Sequence, residues 1–156
     1  SGARGIAGEL GHFTLYQDGR KCPCGKRGCL EEYASTTALI ARAERQTGRT
    51  GWNGRMIFEG ASQGDPLLRL ALDGWLDDVA AGVTGLVHIF NPELVLIGGG
   101  VSAQEELLLK PLRARVLAGV MPRFAERLHI ERAVLGNNAG MIGAAKYFMD
   151  REAERT

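Results

Sequence analysis

The chain has 156 residues, 45% of them hydrophobic and 24% charged, with a formal net charge of +1. That is enough chain and apolar content for one domain with a real core, and too little charge bias for a nucleic-acid surface or an acidic-ligand sink. No run approaches the roughly 18 apolar residues of a membrane helix, and no signal-peptide pattern opens the chain, so a soluble cytoplasmic domain is expected.

Residues 1–12, "SGARGIAGELGH", are glycine-rich and make a poor opening element. "HFTLYQDG" (12–19) alternates apolar and polar residues before a turn, which predicts a strand. Residues 19–29 form a turn-rich loop. Leu30, Tyr33, Ala34, Leu39, Ile40 and Ala43 recur with helical spacing, predicting a helix from Leu30 to about Gln46, broken by Gly48, Gly51 and Gly54. "MIFEGASQGD" (56–65) predicts a short helix and turn. Asp65 is a candidate cap, with Pro66 at the first position of a long apolar helix reaching about Phe90. "NPE" (91–93) ends it. "LVLIGGG" (94–100) predicts a buried strand running into a glycine turn. A helix is expected over 103–119, a strand within 127–135, and a small-residue helix from Gly140 to about Arg151. The second half therefore reads α–β–α–β–α, an α/β domain with helices on a sheet. The long helix and the last one could contribute to a dimer interface, although core packing explains their apolar faces more simply.

All three cysteines, Cys22, Cys24 and Cys29, lie within eight residues, and His12 stands ten positions before the first. An odd, tightly spaced set argues against a disulfide framework. One imidazole and three thiolates are the ligand set of a structural zinc site. Cys22-Pro23-Cys24-Gly25 bends the chain tightly, and Gly28 allows it to return and present Cys29. The one-residue gap between Cys22 and Cys24 is shorter than a zinc finger's. Reduced buried thiols, or a redox pair at Cys22 and Cys24, are the competing readings. Four protein ligands leave no open position, so such a zinc would organise a loop rather than catalyse. Glu9 and Glu31 flank the cluster. Ionised carboxylates accept hydrogen bonds from sugar hydroxyls well; Glu31 could equally be a residue favoured by a helix N-terminus, and Glu9 a solvated loop charge. His88 and His129 read as core or surface histidines.

"GIAGELGH" followed by "GRKCPCGKRGCLEEYAS" resembles the signature of the ROK family (repressors, open reading frames and sugar kinases). "FNPELVLIGGGVS" (90–102) and "LGNNAGMIGAA" (135–145) are similar to later motifs of that family, in the same order, so the resemblance covers essentially the whole chain. It implies a ribonuclease-H-like (actin-like ATPase) α/β fold with an inserted zinc-binding loop. It implies zinc on His12, Cys22, Cys24 and Cys29, and sugar hydroxyls on Glu9, His12 and Glu31. It implies that the Gly98-Gly99-Gly100 turn approaches the adenosine part of ATP, used with Mg²⁺. The turn is neither a P-loop nor a GxGxxG fingerprint, and alone it is equally a tight strand-to-helix turn.

The family's first lobe would hold an Asp-x-Gly-Gly-Thr phosphate loop and the aspartate that acts as general base. Neither occurs in this sequence. The expectation is therefore the C-terminal lobe of a glucokinase-like hexose kinase, carrying no catalytic residue of its own, inactive alone, with a homo-oligomer (dimer) expected because members of the family commonly self-associate. The alternative is the sugar-sensing half of a ROK repressor, the one case in which nucleic acid would be a partner. A stand-alone zinc-stabilised binding module is the third reading, disfavoured by the glycine-rich start.

Overall fold

A computed structural model describes residues 2–135 and 138–153. Its centre is a single long helix. α4 (Pro66–Phe90) begins where Asp65 accepts hydrogen bonds from the backbone N–H groups of Leu67 (2.9 Å) and Leu68 (3.1 Å), with Pro66 at the first helical position. It ends at Asn91, which adopts a left-handed conformation. Its buried side chains Leu68, Ala71, Leu72, Trp75 and Leu76 follow the three-and-four spacing of one helical face. The cap and the long helix are as the sequence predicts.

Three helices pack around α4. α1 (Glu31–Ala34) and α2 (Thr36–Thr47) lie in place of the one helix expected from Leu30 to Gln46. Ser35 is the break: its backbone is extended (ψ 162°), and its hydroxyl accepts from Ala38 N–H at 3.1 Å. Helical periodicity runs across the break, so spacing alone does not reveal it. Trp75 of α4 donates its indole N–H to the Ser35 carbonyl (3.0 Å), locking the kink to the core. α3 (Gly54–Ser62), capped by Asn53, starts two residues before the expected helix and buries Ile57, Phe58 and Ala61. The ring of Phe58 meets that of Trp75 edge-on, with centroids 6.4 Å apart.

β1 (Leu94–Ile97) and β2 (His129–Arg132) pair in parallel, Leu94 opposite His129 and Ile97 opposite Arg132. Between them run a π-turn at Glu105–Leu109, α5 (Lys110–Gly119) and the single turn α6 (Pro122–Ala125). The sequence predicts one helix over 103–119. Pro111, which has no N–H to give, follows the widened turn directly, and Leu109 N–H reaches back five residues to Gln104. Arg115 ties α5 to α4 through Asp77 (2.8 Å) and Asp73 (3.1 Å).

The strand expectations also need correction. The strand predicted at 12–19 does not form. Thr14 makes an isolated antiparallel bridge with Cys29, but the next donors, Leu15 N–H and Tyr16 N–H, both converge on the Gly28 carbonyl (2.8 and 3.2 Å). Two donors on one acceptor break the ladder. Strand 94–97 is not buried on both faces either: Val95 and Ile97 pack on the core, whereas Leu94 and Leu96 are 50% and 58% exposed. α7 (Ala139–Ala153) matches the helix expected at 140–151, yet none of its residues is buried, and Met141, Tyr147, Phe148 and Met149 are exposed. Core packing explains the apolar face of α4 and not that of α7. Among the described residues no helix is long and apolar enough to cross a membrane.

Candidate metal centre and its acidic neighbours

The loop from Leu10 to Leu30 is built almost entirely from turns. A short 3₁₀ turn (Leu10–His12) presents His12. Cys22 and Cys24 lie on a knuckle closed by Gly25 N–H to the Cys22 carbonyl (3.0 Å) and Cys22 N–H to the Lys26 carbonyl (2.9 Å). The ammonium of Lys26 donates to the His12 carbonyl at 2.7 Å, fastening the knuckle to the histidine turn. Gly28 brings the chain back. Its φ is +74°, and a β-carbon there would lie 1.7 Å from the Tyr16 carbonyl oxygen, so only glycine allows the approach that delivers Cys29.

The four donor atoms of His12, Cys22, Cys24 and Cys29 lie within 4.8 Å of one another. Cys22 Sγ is 3.6 Å from His12 Nδ1, and Cys24 Sγ is 3.6 Å from Cys29 Sγ. Around one tetrahedral zinc ion, ligand bonds of the usual length put neighbouring sulfurs about 3.8 Å apart, so the spacing is compatible with a single ion. The cysteines are free, with Cys22 and Cys29 buried and Cys24 exposed. Their titration shows what such a cluster demands. The Lys26 backbone N–H, then the Cys22 thiol, draw the Cys24 thiol below its usual range. The Cys24 backbone N–H pulls Cys22 the same way, but desolvation and the thiols of Cys24 and Cys29 outweigh it and push Cys22 up to about 12. With Cys22 held protonated in this way, a metal ion bound here would have to supply the charge that lets its thiol ionise.

The histidine faces two ways. Nδ1 points at Cys22, while Nε2 lies 3.7 Å from Glu31 Oε2. Glu31 is the first residue of α1, half-exposed, so it is both a helix N-terminal acid and a neighbour of the cluster. Gly11 separates Glu9 from His12 closely enough that a β-carbon on it would stand 3.4 Å from Glu31 Oε2. Glu9 itself is exposed, and His12 N–H bonds its carbonyl at 3.1 Å. The structure thus brings His12 and Glu31 together and leaves the Glu9 carboxylate in solvent beside them.

The Gly98-Gly99-Gly100 turn follows β1 at its C-terminal end. Gly99 has φ +94°, and Ser102, buried, caps the turn by donating both N–H (3.1 Å) and hydroxyl (2.8 Å) to the Gly99 carbonyl. A β-carbon at Gly99 or Gly100 would meet nothing within 4 Å. The glycines open free space rather than relieve packing. His88 accepts from Met121 N–H at 3.1 Å and meets Phe124 edge-on, and His129 is exposed, so both are the structural histidines expected.

Sequence reasoning missed the polar anchor beneath the loop. Asp78, 4% exposed on α4, accepts from the Tyr16 hydroxyl (2.6 Å) and pairs with Arg42 of α2 (2.5 Å). Burial and the hydrogen bond to Asp78 explain Tyr16: that bond, foremost, pushes its phenol up to about 12. The signal was available: Asp78 falls three residues after Trp75 and four before Gly82, on the buried face of an otherwise apolar helix.

An α/β lobe with a parallel βαβ unit, a glycine turn at the end of its first strand and a one-histidine, three-cysteine loop defines the class. The family model described as the ROK family matches residues 1–151, and the chain belongs to that family. It is 36% identical to a glucokinase of Thermotoga maritima over 97% of this chain and 52% of the relative. It is 28% identical to a xylose repressor of Bacillus spizizenii over 96% of this chain and 39% of that one. The crystal structure of a ROK family glucokinase from Streptomyces griseus in complex with glucose and AMPPNP superposes with a TM-score of 0.79 at 33% identity, covering 92% of this chain and 51% of that one. The fold is that of these sugar kinases. The chain spans about half the length of the curated glucokinases it matches.

Proposed function

We propose that this chain is the C-terminal lobe of an ATP-dependent hexose kinase of the glucokinase type, working in the cytoplasm when the rest of the enzyme is present. The observation that carries the reading is the two-faced histidine: His12 turns one ring nitrogen to the cysteine cluster and the other to Glu31. In this reading zinc held by His12, Cys22, Cys24 and Cys29 supplies no chemistry. It fixes the loop. Glu9, His12 and Glu31 then receive the sugar hydroxyls, with carboxylates as acceptors and the outer imidazole nitrogen oriented by its inner bond. The Gly98–Gly100 turn, open at Gly99 and Gly100, receives the adenosine part of ATP, where backbone approaches a ligand without side chains in the way. Glucose on a similar protein, together with AMPPNP, supports the pair of substrates.

Phosphoryl transfer also requires positioned phosphates, Mg²⁺ and a base that orients the hydroxyl. No residue described here supplies that base. The 156-residue chain alone is therefore expected to release no ADP from Mg-ATP with glucose or related hexoses, while the full-length protein does. Turnover by the isolated chain would overturn the assignment of catalysis to another lobe. The similarity to a xylose repressor favours a second reading, a sugar-sensing domain. Sugar-dependent release of the full-length protein from DNA, with no ADP formed, would replace the kinase reading by that one.

A further inference from the structure

Asp78 is a buried carboxylate on the central helix, and nothing in the kinase reading uses it. Its two oxygens are both engaged: Oδ1 accepts from the Tyr16 hydroxyl at 2.6 Å, and Oδ2 pairs with the Arg42 guanidinium at 2.5 Å. Arg42 holds the carboxylate from α2, so Asp78 is a fixed point of the helical core. Tyr16 is the end that belongs to the loop. It lies four residues after His12, and its backbone is woven into the metal loop. Tyr16 N–H donates to the Gly28 carbonyl, immediately before Cys29, and the Tyr16 carbonyl accepts from Gly19 N–H at 3.1 Å.

A second layer steadies the tyrosine. Its ring meets Tyr33 of α1 at 4.7 Å between centroids, 60° apart. Tyr33 in turn accepts from Arg20 N–H (2.7 Å) and carries the Arg20 guanidinium over its face at 4.4 Å. Arg20 also donates to the Glu32 carbonyl (2.6 Å), next to Glu31. The segment that follows His12, the chain that precedes Cys22 and the start of α1 therefore meet on one tyrosine pair. Among the described residues, the one link from that pair's hydroxyls to the long helix is the Tyr16–Asp78 hydrogen bond.

We infer that Asp78 is a positioning residue for the metal loop: through the Tyr16 hydroxyl it sets where His12 and Cys29 stand relative to each other and to Glu31. The inference rests on the reading of the His12 and cysteine cluster as a zinc brace beside the sugar. A hydrogen bond that orients ligands from outside the coordination shell slows their loss and tunes what they touch. Metal release is then the direct readout, and sugar affinity the functional one.

The test compares zinc-loaded full-length protein with Tyr16→Phe, which removes one hydroxyl and keeps the ring. Arg115→Gln is the control; it loosens α5 from α4 without touching the loop. Zinc transfer to a chromophoric chelator should accelerate roughly fivefold in Tyr16→Phe, as expected for one net hydrogen bond. Its KM for the hexose should rise while that for ATP stays. Arg115→Gln should lower the melting midpoint and leave zinc release unchanged. Asp78→Ala should match or exceed Tyr16→Phe in zinc release, and adding Tyr16→Phe to it should accelerate release no further; if Asp78→Ala does not fold, Tyr16→Phe decides the matter. Wild-type release rates in Tyr16→Phe, or equal acceleration in Arg115→Gln, overturn the inference and leave the metal site standing. A wild-type protein that takes up no zinc overturns both.

Discussion

His12, Glu31 and Tyr16 each make contacts that their neighbours in sequence do not dictate. The four metal-type ligands were legible because they lie within one local loop, where spacing and turn chemistry bring them together. The two-sided use of His12 follows from the 3₁₀ turn before it and from α1 starting at Glu31. Under the kinase reading, Glu31→Ala should raise KM for the hexose roughly tenfold to a hundredfold, the worth of a charge-assisted hydrogen bond. KM for ATP should stay within error, and steady-state kinetics with each substrate varied would show it. Tyr16 gives a pH test. Its phenol titrates at about 12 in the fold against an ordinary value of 10.0. A raised pKa means that the folded state holds the proton more tightly than the unfolded one. The stabilisation is then complete below pH 10 and disappears as pH rises through 12. Denaturant titrations of wild type and Tyr16→Phe should differ most below that range and converge toward its upper end.

At the level of elements, capping and breaking decided more than periodicity. Asp65 with Pro66 marks the start of α4 in sequence and in space, because the cap acts within three residues. Asp65→Ala should cost about 1 kcal/mol, and Asp65→Asn only a few tenths, since the amide oxygen still accepts from Leu67 and Leu68. Urea denaturation would resolve the two. Ser35 splits the expected helix by capping α2 through Ala38 N–H, and the Trp75 indole forty residues away holds its carbonyl. Residues 12–19 alternate like a strand, but a strand needs a partner in register, and Gly28 gives two donors one carbonyl. Asp78 sits on the same helix as Asp65 yet belongs to a contact spanning 62 residues. Asp78→Asn should cost roughly 3–5 kcal/mol, the range for removing one partner of a buried ion pair, read from denaturation midpoints.

For the whole molecule, the two-stranded sheet shows one packed face and one open face. Leu94 and Leu96 are exposed on the open face, and Val134, Leu135 and the apolar residues of α7 are exposed as well. That amount of uncovered apolar surface is unusual for a self-sufficient domain, and it agrees with a chain half the length of its relatives. Leu96→Lys should then change the stability of the 156-residue chain by no more than about 0.5 kcal/mol, as at other exposed sites. In the full-length protein the same change should be several times more destabilising, because an unpaired charge would be buried. Paired melts of the two proteins test this. Equal effects in both would mean that the open face stays open.

The sequence by itself determined the helical core, the start of α4, the presence of two strands and the clustering of His12 with the three cysteines. Each follows from contacts within a turn or from an apolar period that any packing must satisfy. Only the tertiary structure decided that Asp78 lies under the loop, that the Trp75 indole holds the Ser35 kink, and that one face of β1 and the large apolar residues of α7 stay uncovered. These depend on which distant surfaces meet, and a pairing across 40 or 62 residues leaves no spacing to read in a single chain.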